Sequence, residues 1–148
     1  MKLVSGILLD VYAARDIFSR AVPAEVTEIA NLRATNRLAF CMDEEDAFRT
    51  DPHAVQAYGN QEPSFCKCND EFYDYCENIS AQIPEHRFLG QSRTQVHIAA
   101  FARSHNLGVL SQHSSNFYAT VSECCNMLDV HYWNVTTFFP DIPNIQFQ

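Results

Sequence analysis

The segment Met1–Asp10, MKLVSGILLD, decides how the rest of the chain is read. Its run Leu3–Leu9 is short, almost wholly apolar and closed by a charge, the signature of a strand buried on both faces. A single Lys2 precedes it, and no small-residue cleavage region follows, so it reads as neither a membrane span nor an export signal. Asp10 then stands at the carboxyl end of the first strand, where open α/β sheets bind their ligands.

Outward from this strand, helical and extended patterns alternate. Val11–Arg20 has helical character. Pro23 opens a second helix, Ala24–Thr35, in which Val26, Ile29, Ala30 and Arg33 share a face. Arg37–Cys41 reads as a second strand, and Asp43 is expected to cap the helix after it. The span 51–63 is the most loop-like. Helical spacing returns over Asn69–Ala81, with Phe72, Tyr75, Cys76 and Ile79 in register, and again over Arg93–His105. Asn106 to Gly108 reads as a helix stop. Val109–Ser111 is a short strand, Ala119–Leu128 a helix, and His131–Val135 a last strand. Strands separated by helices of this length imply a parallel sheet with helices on both faces, in one domain over residues 1–148.

Composition narrows the function. Apolar residues are 47% and charged residues 19% of 148, which excludes a disordered chain. Eighteen acids against ten bases leave a net charge of −8, which opposes tight non-specific nucleic-acid binding. Such a balance still permits a local basic rim or an acidic pocket for a divalent cation. The absence of an export signal points to a cytoplasmic protein with reduced thiols, for which the sequons at Asn78 and Asn134 have no role.

The stretch Thr94–Phe117, TQVHIAAFARSHNLGVLSQHSSNF, resembles the second half of PIN-like nuclease domains. Ile98, Ala99, Ala100 and Ala102 match that family's small-residue helix. Leu107 to Leu110 matches its turn and strand, and Ser111 stands where threonine is expected. Val121–Phe139 is similar to its closing unit. ILLDVYAARDIF is similar to its opening strand, with Asp10 as the match and Val11 and Tyr12 as departures. The resemblance implies a three-layer α/β/α domain with a parallel sheet of four or five strands. It also implies an RNA-cleaving activity, like that of bacterial toxin–antitoxin ribonucleases, with Mg²⁺ or Mn²⁺ as cofactor.

The family's four acidic positions fall, by spacing, on Asp10, Glu45, Gln95 and His113, with Asn116 close behind. Intervals of 35, 50 and 18 residues separate the four. Asp10 and Glu45 are the expected metal-holding carboxylates, though Asp43, Glu44 and Asp46 are neighbouring candidates for the second place. Gln95 and His113 remove charge from the third and fourth positions, and imidazole suits Mg²⁺ poorly. An inactive binding module is therefore the alternative to a weak endoribonuclease. The resemblance implies an antitoxin-like protein partner or a homodimer in either case, and no membrane.

Plainer readings accompany each of these residues. Asp10 is also a good helix N-cap, 43–46 a good acidic helix start, and His113 an ordinary loop histidine. Cys66-x-Cys68 with Cys76 departs from zinc spacing and reads as ordinary thiols. Phe65, Phe72, Tyr73 and Tyr75 read as core or half-buried helix packing, and Trp133, Phe138 and Phe139 as core.

Overall fold

A computed structural model describes residues 2–90 and 92–148. The opening apolar run is interrupted at Ser5 into two strands, β1 (Lys2–Val4) and β2 (Gly6–Leu9). Four parallel strands form the main sheet in the order β3-β2-β4-β5, where β3 is Leu38–Ala39, β4 Leu107–Leu110 and β5 Tyr132–Trp133. β1 pairs instead with β6 (Ile145–Phe147), also in parallel.

Strand alternation sends the side chains of β2 to two separate cores. Ile7 and Leu9 pack with α1 (Val11–Arg20), α2 (Pro23–Ala34) and α7 (Val135–Asp141). Leu8 packs on the other face with α4 (Asp70–Ser80), α5 (Thr94–His105) and α6 (Val121–Met127). Val109 and Leu110 of β4 divide in the same way. A sheet with an apolar cluster on each face is a three-layer α/β/α arrangement, and its strands have to be apolar throughout. Among the described residues, no helix is long and apolar enough to cross a membrane.

Local chemistry explains most boundaries. Asp10, Asn69 and Thr120 each accept a backbone N–H at the start of a helix. Asn106, with φ of 55°, ends α5 in the left-handed region. Gly108 has a different task from the expected helix stop. It lies inside β4, where the Trp133 ring crosses its Cα so closely that any added Cβ would meet ring carbons.

Other expectations need correction. Asp43 lies in a 3₁₀ turn, Met42–Glu44, and does not cap the short helix α3 (Glu45–Thr50). The loop-like span 51–63 contains a second 3₁₀ turn, Ala54–Tyr58, that buries Ala54, Ala57 and Tyr58. The last strand stops at Trp133, because Asn134 and Thr137 form a capping box that starts α7.

Gly108→Ala tests the close packing of sheet and ring. The added methyl must displace Trp133, so the variant should lose about 1–3 kcal/mol in denaturant unfolding. A stability unchanged from the parent would contradict that packing.

Candidate functional site

β2 leads to β3 on one side of the sheet, while β4 leads to β5 on the other. The order of strands therefore reverses between β2 and β4, and their carboxyl ends form the crevice where such sheets take ligands. The register pairs Leu9 with Leu110, which brings the next residues, Asp10 and Ser111, side by side at that crevice. The Asp10 N–H donates to the Leu110 carbonyl at 3.1 Å, extending the sheet bonding by one residue.

Asp10 is fully buried. Its Oδ1 accepts the Ala13 N–H at 2.8 Å, and its Oδ2 accepts the Ser111 hydroxyl. Ser111 Oγ in turn accepts the His113 N–H at 3.0 Å. Loss of hydration outweighs these hydrogen bonds, and the Asp10 carboxyl is pushed up from 3.8 to about 6. The second carboxylate is Glu44, 5% exposed, whose Oε1 accepts the Val11 N–H at 3.3 Å. Burial raises its proton affinity well above the usual range, and the Asp10 charge raises it further. Asp43 completes the acidic rim. It pairs with His97 on α5, which holds its carboxyl below the ordinary value against some desolvation.

These acids line a cavity of about 340 Å³ together with Tyr12, Gln95 and His113. Among its described lining residues there is no lysine or arginine. Gln95 is nearly buried and donates its Nε2 to the Ala119 carbonyl at 3.1 Å, tying α5 to the loop before α6. His113 accepts the Val121 N–H on Nδ1 at 3.3 Å, and burial lowers its proton affinity. The neutral ring therefore carries its proton on Nε2, which makes that nitrogen a donor rather than a cation ligand.

Glu45 is not part of this group. It lies on α3 beside Arg49, at 3.6 Å in an i,i+4 ion pair, and does not line the cavity. Asn116 is exposed and likewise absent from the lining. Of the four consecutive acids, Asp43 and Glu44 line the cavity, whereas Glu45 and Asp46 do not. Glu44 and Phe48 are four apart and both buried, whereas Glu45 and Arg49 mark the wet face.

Among the described residues, no group of three or more His, Cys, Asp or Glu side chains is arranged to hold a metal ion. That includes Cys66, Cys68 and Cys76, and all six cysteines are free. The cavity thus offers two hard, buried carboxylates and a third acid held by a histidine. No family model matches the chain, and no curated protein matches it.

Asp10→Asn separates charge from shape. In the folded chain Asp10 keeps its proton up to about pH 6, against 3.8 otherwise. The folded state therefore binds more protons between those values, and stability falls as pH rises through that window. Above it the whole cost of the buried charge persists, about 3 kcal/mol for this group. Asparagine still caps α1 without charge, so Asp10→Asn should raise Tm at pH 7.5 and flatten its decline between pH 4 and 7. A lower Tm at pH 7.5 with an unchanged pH profile would contradict the buried-charge reading.

Proposed function

We propose that this chain is a divergent PIN-like domain of the metal-dependent ribonuclease lineage, with Asp10 and Glu44 as the carboxylates that hold Mg²⁺ or Mn²⁺. The observation that carries this reading is a pair of buried carboxylates lining one cavity at the crevice of the sheet, both made reluctant to ionise by burial and Glu44 further by the Asp10 charge, with no lysine or arginine lining it among the described residues. Buried like charges persist where their repulsion is relieved by a ligand, and a hard divalent cation is the ligand that oxygen donors suit.

Two carboxylates suffice for such an ion when water and a substrate phosphate complete its surroundings. When bound, a divalent ion makes water nucleophilic at neutral pH and offsets charge on a phosphodiester. The chain's own residues prepare the site. Ser111 fixes the Asp10 carboxylate, and the N–H of Val11 fixes that of Glu44. His113 presents a neutral N–H donor at the cavity wall, suited to a phosphate oxygen. Asp43, kept ionised by His97, adds negative potential at the mouth that draws cations in.

A second reading, a binding module without catalysis, is favoured by one observation. The side chains at the third and fourth positions, Gln95 and His113, each bond to backbone that they hold in place. On either reading the free thiols fit a cytoplasmic setting, and RNA, an antitoxin-like protein or a second copy of the chain are the partners to test.

Thermal shift and RNA cleavage with Mn²⁺ at pH 7.5 distinguish the two. The nuclease reading expects Mn²⁺ to raise Tm and support cleavage. Both effects should be lost in Asp10→Asn and Glu44→Gln, and kept in Glu45→Gln. A Tm indifferent to Mn²⁺ and Mg²⁺, with no RNA cleaved, supports the binding module instead.

A further inference from the structure

The cavity carries two rings that the carboxylate pair does not use. Tyr12 follows Asp10 by two residues, so its ring and that carboxylate are held by the same first turn of α1. The ring is 43% exposed although it lines the cavity. His113 packs against it at a tilt, with centroids 5.3 Å apart and planes inclined at 51°, and the Arg15 guanidinium, paired with Asp51, lies 5.7 Å from the ring centroid. The Val121 N–H donates to His113 Nδ1 at 3.3 Å, which orients the imidazole. We propose that Tyr12 and His113 form a stacking shelf that seats one unpaired nucleobase beside the Asp10–Glu44 pair, an inference that rests on the nuclease reading of that pair.

Charge leaves stacking as the means of grip. The chain carries −8 overall, and the cavity lining has three carboxylates with no lysine or arginine among the described residues. A strand held by phosphate contacts needs a basic groove, and such binding weakens steeply with salt. A base has a π-face whatever its sequence, and stacking on an aromatic ring is worth a similar amount to each base without any charge. The loop that carries His113 holds a second aromatic pair. Phe117, 55% exposed, lies edge-on to Tyr118, which lines the cavity. Arg87 Nε donates to the Phe117 carbonyl at 3.0 Å, and the same guanidinium forms two 2.8 Å hydrogen bonds to Glu123, so this loop is braced. A cavity of about 340 Å³ falls within the range of small-ligand sites.

Fluorescence anisotropy of a short labelled single-stranded RNA tests the shelf. Ca²⁺ replaces Mg²⁺ to suppress cleavage, and a matched strand with abasic riboses serves as control. Tyr12→Leu should weaken binding of the ordinary strand by about 5- to 150-fold. Tyr12→Trp should retain it, and the abasic strand should bind the parent protein as weakly as the ordinary strand binds Tyr12→Leu. Affinity should fall only shallowly as KCl is raised. The Mn²⁺-dependent rise in Tm should survive Tyr12→Leu, which separates loss of the shelf from loss of the cation site. Equal binding of ordinary and abasic strands overturns the proposal, as does parent-like affinity in Tyr12→Leu. So does a parent protein that captures a basic peptide but no single strand. If the Mn²⁺ effect vanishes with Tyr12→Leu, the ring supports the carboxylates rather than a base, and the shelf is rejected.

Discussion

A carboxylate sealed from water at the end of a parallel strand is the constraint on which the crevice depends. Asp10 holds the first turn of α1 through Ala13 and the end of β4 through Ser111, so it joins the two strands between which the sheet order reverses. These hydrogen bonds favour its ionised form, yet burial outweighs them and leaves it at about 6. The Asp10 charge also raises the Glu44 carboxyl, which burial already holds above its ordinary range. A packed core would relieve this strain by placing an apolar residue at either position. A helix cap needs one such acid, and this crevice holds two.

The surrounding side chains divide between support and access. Ser111 links Asp10 to the backbone of His113, and His113 links to the start of α6. Gln95 ties α5 to the loop that precedes α6. The acid pair is thus framed by elements from both layers of helices, while Tyr12 and the mouth of the cavity stay open. His97 bonds Asp43 at the rim, so one acid remains ionised where the deeper two resist ionisation.

Much of the architecture was legible because it follows from burial. A strand covered on both faces has to be apolar throughout, and Gly6–Leu9 is; a helix facing one layer repeats every three to four residues, and α4 does, whereas α5 is buried continuously over Ile98–Ala102. Asp10 was legible for the same reason, as the first charge after such a strand. The second acid was harder to place, because four consecutive acids differ only in which way a single turn points. A 3₁₀ turn ahead of α3 shifts that phase and gives the inward position to Glu44. α7 and β6 left little trace, because Pro140 breaks the helical pattern and β6 is three residues long. Tyr12 stands out in the sequence only as a departure from the family's opening motif, since an aromatic residue early in a helix reads as packing until its exposure is known.

Carboxyl-resolved NMR titration of the ¹³C-labelled protein tests the central claim most directly. Asp10 should titrate near 6 and Glu44 above the ordinary glutamate range, with each curve displaced when the other residue is made an amide. Saturating Mg²⁺ should draw both to lower pH. Two independent titrations near 4, indifferent to Mg²⁺, would contradict a strained acid pair built to receive a cation.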